Sequence, residues 1–190
     1  MRCFVAVDLS AEVRAAVADV QARVRAAAPR ADVRWLEPHA FHLTLKFLGA
    51  VPVERVAAVS AALESVVSGP PLELEARGLG AFPTIRRPRV LWAGITVGAP
   101  RLVTLAADVE RALVPIGFAP EARPFRAHLT LGRVRSPRDA GALAKAIEAE
   151  GAVALGAWTA GEVVLYQSHL KPTGAVHEKV SRHRLRGAST

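Results

Sequence analysis

The tetrapeptide His-Leu-Thr-Leu stands twice in the chain, at residues 42–45 and again at residues 128–131. Histidine is scarce, with six in 190 residues, so a repeat built on it marks an internal duplication. The surroundings repeat as well. Each copy comes after a stretch of helical periodicity and precedes a helix opened by proline, at Pro52 in the first half and at Ser136-Pro137 in the second. A duplicated unit implies a symmetric architecture, so two halves related by a pseudo-twofold are expected.

The remaining punctuation fits that plan. Residues 2–9 read as a buried strand, and Ser10 is a helix N-cap with Glu12 in the first turn. Val13, Val17, Val20 and Val24 then recur at helical spacing until Pro29 stops the run. Residues 41–48 read as a strand closed by Gly49, and the helix after Pro52 turns Val56, Val59, Leu63 and Val66 inward. Residues 72–76 and 89–97 read as strands joined by a loop rich in Gly, Pro and Arg. In the second half a helix from Pro100 carries Leu102, Leu105, Val109 and Leu113, a strand covers 125–134, and a helix carries Leu143 and Ile147. Strands at 158–167 and 175–185, around a turn at Pro172-Thr173-Gly174, close the chain. With no linker or low-complexity tract, one domain over residues 1–190 is expected.

Strand alternation gives the repeat its chemical meaning. His42 and Thr44 share one face while Leu43 and Leu45 share the other, and the same holds for His128 and Thr130 against Leu129 and Leu131. The leucines pack under helices, and under a pseudo-twofold the polar faces line a common cleft. Two imidazoles across a groove suit general acid/base catalysis at a phosphodiester: one takes a proton, the other donates one to the leaving oxygen. Each threonine hydroxyl can donate to a non-bridging phosphate oxygen. Lys46 has the same parity and is a candidate substrate contact. A lone strand histidine is usually a satisfied core residue, but a matched pair with matched threonines is poorly explained that way. His39 and His42 lie three apart, yet no His or Cys cluster completes a metal site, so neither metal nor other cofactor is expected.

A net charge of +8 and a pI near 10.9 would attract polyanions, nucleic acid first among them. An Arg- and Ala-rich surface is also what a GC-rich genome writes, so charge counts only beside the phosphate chemistry. A single cysteine, Cys3, excludes an internal disulfide and fits a reducing cytoplasm. Residues 1–10 lack an apolar signal core, and no apolar run approaches membrane-spanning length. A soluble, cytoplasmic chain with no membrane association is the expectation.

In order along the chain, Arg2-Cys3-Phe4-Val5-Ala6-Val7, His42-Leu-Thr-Leu-Lys-Phe-Leu-Gly49, Phe82-Pro83 with Arg89-Val90-Leu91-Trp92, His128-Leu-Thr-Leu-Gly-Arg133 and Leu165-Tyr166-Gln167-Ser168 together form a pattern. It resembles the two-histidine (2H) phosphoesterase superfamily, specifically its LigT-like branch of RNA 2′,3′-cyclic phosphodiesterases, historically called 2′-5′ RNA ligases. The resemblance covers nearly the whole chain. It implies a bilobal α+β fold, with two antiparallel sheets flanking a central cleft and helices on the outside, acting as a monomer on RNA ends. By the same resemblance His42 donates a proton to the departing ribose 3′ oxygen and His128 activates water, leaving a 2′-phosphate. Reversible 2′-5′ joining of tRNA halves, or RNA-end binding without chemistry, are the alternative functions.

The resemblance also brings Arg133 toward the phosphate, whereas simple alternation turns it to the face opposite His128. A bulge at Gly132 would resolve the conflict. His177 stands where relatives commonly carry an aromatic residue, a departure expected to leave catalysis untouched. His169, His177 and His183, with Lys171, Lys179, Arg182, Arg184 and Arg186, make a basic carboxy-terminal segment open to RNA contact or to solvent alone. Trp35, Phe41, Phe82, Trp92, Phe125 and Trp158 are read as mostly core, with one of them available to stack a base. Arg86-Arg87-Pro88-Arg89 is the best basic patch for guiding a strand, and a plain surface loop explains it equally well.

Overall fold

The computed structural model describes residues 1–171 and 174–187, so Pro172 and Thr173 of the expected turn lie outside the described residues. Two antiparallel sheets carry the chain. Strands β1 (Arg2–Val7), β3 (Leu43–Ala50), β8 (Glu162–Lys171) and β9 (Gly174–Arg184) form one, in the order β3-β1-β8-β9. Strands β2 (Val33–Trp35), β4 (Leu72–Thr84), β5 (Arg87–Val97), β6 (His128–Val134) and β7 (Ala154–Ala160) form the other, in the order β2-β6-β5-β4-β7.

Among the described residues four α-helices cover the outer faces: α1 (Ala11–Ala27), α2 (Val56–Glu64), α3 (Ala99–Leu113) and α4 (Ala140–Ala149). Ser10 caps α1 by accepting from the Val13 amide, and the valine stripe Val13, Val17, Val20 and Val24 is buried. The helices pair across the halves. α1 lies with α4 on the sheet of β6, and α2 lies with α3 on the sheet of β3. Exchanging β3, β1, β8, β9 for β6, β5, β4, β7, and α1, α2 for α3, α4, reproduces every one of these neighbours, with β2 as an addition. This is the pseudo-twofold implied by the repeated tetrapeptide, and it leaves the two helix-free sheet faces lining the cleft.

Three local expectations change. The stretch read as a Gly/Pro/Arg loop is the continuation of a long β4-β5 hairpin, in which register shifts near Ala76 and at Phe82/Pro83 break the alternation that would have revealed it. The strand expected at 158–167 is two strands divided at Gly161, β7 pairing with β4 and β8 with β1, so the chain passes there from one sheet to the other. Strand β2 was not anticipated, because three residues are too few to show a period.

Candidate active site

The first histidine is set by the turn before its strand. Arg14 on α1 donates from one Nη to the carbonyls of Pro38 (2.7 Å) and Phe41 (2.8 Å), clamping the 3-10 turn Pro38–Ala40. His42 comes directly after, one residue ahead of β3. Its ring stacks on Phe4 at 4.6 Å between centroids, and Phe4 stacks in turn on Tyr166 at 5.1 Å. His177 meets His42 edge-on at 5.2 Å and Phe4 at 4.9 Å, and its buried Nδ1 has no hydrogen-bond partner among the described residues. Asp8 accepts from the Tyr166 hydroxyl and, at 2.5 Å, from Lys179 Nζ.

The second histidine mirrors the first on the opposite sheet. His128 donates Nδ1–H to the carbonyl of Arg126, two residues back, at 2.7 Å; a carbonyl only accepts, which fixes the tautomer. The Ala40 backbone, likewise two residues back, favours the protonated form of the His42 ring. With Nδ1 of His128 committed to Arg126, its Nε2 is the nitrogen left for substrate. Phe82 stands edge-on to His128 at 5.1 Å and packs on Trp92 at 5.2 Å.

Both motif strands carry a bulge at the same place. Along β3, Thr44 pairs with Ala6 and Lys46 with Val5, which leaves Leu45 as the extra residue. Along β6, Thr130 pairs with Trp92 and Gly132 with Leu91, leaving Leu131 extra. The bulge inverts the parity of the residues beyond it. Arg133, paired with Val90 and with Arg34, therefore returns to the face of His128 and Thr130, and the conflict over its direction disappears. A Cβ on Gly132 would stand 2.8 Å from Val33 Cγ1 and 3.2 Å from the Arg34 carbonyl, which is why glycine occupies the bulge. The Leu131 carbonyl is held by the Leu36 amide (2.9 Å) and by Nε2 of buried Gln21 (2.9 Å).

The matching bulge in β3 corrects the expectation for Lys46. It turns away from the cleft with Val5, is almost wholly buried, and binds Glu110 of α3 (2.6 Å) and the Ala119 carbonyl (2.8 Å). Phe47 takes the cleft position equivalent to Arg133 and is 59% exposed. Thr44 and Thr130 share the faces of the two histidines, as alternation requires.

Burial sets the electrostatics. It pushes His42 down to about 4, aided by His177 and Arg14 and opposed by the Ala40 carbonyl and Asp8. His128 is also lowered, first by burial and then by the Arg133 guanidinium, against the Arg126 carbonyl. His177 falls through burial and through His39. Among the described residues no three His, Cys, Asp or Glu side chains are grouped to hold a metal ion. Sequence reasoning missed Arg14, Asp8 and Gln21, whose partners are distant in sequence, and gave His177 no part although its ring touches His42. Among the described residues no helix is long and apolar enough to cross a membrane.

Comparison with known proteins agrees with this arrangement. The family described as LigT like Phosphoesterase matches residues 7–92 and 96–177. The RNA 2′,3′-cyclic phosphodiesterase of Methanothermobacter thermautotrophicus is 34% identical over 97% of this chain and 99% of its own. That of Aeropyrum pernix is 36% identical over 77% and 82%. A crystal structure from Thermus thermophilus superposes with a TM-score of 0.81 at 31% identity, covering all of both chains. Escherichia coli LigT complexed with 3′-AMP gives 0.74 at 27%, covering 97% of each. With the family profile spanning both histidine motifs and the sheets around them, the chain belongs to the LigT-like phosphoesterases.

Proposed function

We propose that this phosphoesterase opens the terminal 2′,3′-cyclic phosphate of RNA to a 2′-phosphate, without metal, using His42 and His128. The observation that carries the reading is the duplicated placement of the rings, each on the cleft side of a bulged strand and each supported by the backbone two residues back. The names of the relatives in Methanothermobacter and Aeropyrum supply the substrate class.

In the proposed reaction His128 Nε2 takes a proton from water as the water oxygen bonds to phosphorus. The P–O3′ bond breaks, and the departing oxygen receives the proton of His42; the P–O2′ bond remains. Thr44 and Thr130 donate to the non-bridging oxygens as charge builds there, and Arg133 adds positive charge on the His128 side. Both rings are disposed to neutrality in the free protein, so the phosphate's own charge helps to recruit the proton that His42 donates. Both histidines come from one chain, so a monomer suffices.

The test incubates an oligonucleotide ending in a 2′,3′-cyclic phosphate with the protein in EDTA and locates the phosphate in the product. Turnover to the 2′-phosphate is expected, with losses of about 10²- to 10⁴-fold in His42→Ala and His128→Ala. No turnover in EDTA, or undiminished rates in either variant, would sink the proposal. Joining of tRNA halves shares the transition state and is read by the equilibrium position, while salt-sensitive binding surviving loss of both histidines would mark a non-catalytic end-binder.

A further inference from the structure

On the His128 side the cleft wall continues past Arg133, which the proposed chemistry uses, into a strip of further arginines that it leaves unused. Arg34 of β2 and Arg133 of β6 face each other directly as cross-strand partners, both exposed on the cleft side. Like charges so placed repel. Arg135, one residue past the end of β6, continues the ladder by donating its amide to the Asp32 carbonyl (2.9 Å) and is exposed, as Arg133 is. Beyond the register shift at Phe82/Pro83, Arg87 pairs with Thr84 and returns to the same face. Arg86, Arg87, Arg89 and Arg135 also line a groove of about 500 Å³ that runs over the strand ends, past Val134, toward the start of α4 at Ala140.

Among the described residues no acid pairs with an arginine of the strip. Among the described residues the arginines that pair with acids are Arg23, Arg30, Arg77, Arg111 and Arg184, none of them in this groove. Its position comes from strand geometry. β6 leads away from His128 by about 3.3 Å per residue, so Arg135 stands roughly 20 Å along the strand, beyond the reach of a single nucleotide.

We infer that this strip, from the facing Arg34–Arg133 pair to the tip of the β4-β5 hairpin, binds the phosphodiester backbone of the RNA upstream of the reacting terminus. The inference rests on the proposed function for the substrate class, and it makes the enzyme selective for oligonucleotides over mononucleotides. The extra affinity is electrostatic and sequence-independent, because the contacts are with phosphates. An acidic protein would be drawn by the same charge, but the strip leads out of the catalytic cleft, where only a strand attached to the reacting phosphate gains from it.

The experiment compares kcat/KM for a nucleoside 2′,3′-cyclic phosphate with that for a hexanucleotide ending in the same group, across a salt series. The wild-type protein should prefer the hexanucleotide by about tenfold or more at low salt, with the preference vanishing as salt rises. The double variant Arg87→Ser/Arg135→Ser should lose most of that ratio, its salt slope shallower by about 0.7 per arginine removed. Arg25→Ser/Arg111→Ser, an equal loss of charge on the helical side, should keep it. An unchanged ratio in the first double variant, or equal losses in both, overturns the strip. If neither substrate turns over, the proposed function fails separately, and anisotropy with a labelled hexanucleotide bearing a 2′-phosphate reads the strip directly. Wild-type binding by Arg87→Ser/Arg135→Ser, or equal competition by polyglutamate, overturns it there.

Discussion

His177 touches the ring of His42 and belongs to no hydrogen bond that the buried Nδ1 could use, so its charge acts directly on its neighbour. The two proposed acid/base rings are both lowered from the ordinary histidine value in the free protein, His42 to about 4. A reaction that needs one ring charged and one neutral runs fastest midway between the two macroscopic values. The pH profile of kcat/KM should therefore be a bell with its maximum below the ordinary histidine pKa of about 6.5. Replacing His177 by Asn removes a group that opposes charge on His42, so the acid limb and the maximum should move upward. A maximum above neutrality, or a profile indifferent to His177→Asn, contradicts this assignment. None of this was visible in the chain itself, where His177 is separated from His42 by most of the sequence and meets it only because β9 lies in the same sheet as β3.

At the scale of elements, the repeated bulges decide which residues reach the cleft. Alternation alone placed His42, Thr44, His128 and Thr130, since those positions precede each bulge. It failed at Lys46, which lies beyond one, and would have failed at Arg133 but for the glycine that marks the second. In β3 no glycine marks the bulge, so the sequence carried no warning. The misplaced lysine has a structural task instead, tying β3 to α3 through Glu110. Lys46→Met should cost about 2–3 kcal/mol, on the low side for a broken buried pair because Glu110 keeps some access to water, and should leave kcat nearly unchanged. Denaturant unfolding beside steady-state kinetics checks it. A large fall in kcat with stability intact would return Lys46 to the cleft. Helices were easier to read than strands for a related reason: the stripes of α1 and α3 run without interruption, whereas β4 and β5 are broken by register shifts.

For the whole molecule, the repeat announced the symmetry but not how the halves are interleaved. Each half lends its first helix to the other: α1 covers the sheet of β6, and α3 covers the sheet of β3. The chain cut between β5 and α3 should give two pieces that remain unfolded apart and recover phosphoesterase activity only when mixed. Circular dichroism of each piece, with assay of the mixture, checks this; an autonomously folded half would refute it. The exchanged helices also act as cross-braces between the walls of the groove. A protein braced in this way keeps its two histidines at a separation dictated by its own interior, and so meets each incoming strand with a gauge already set.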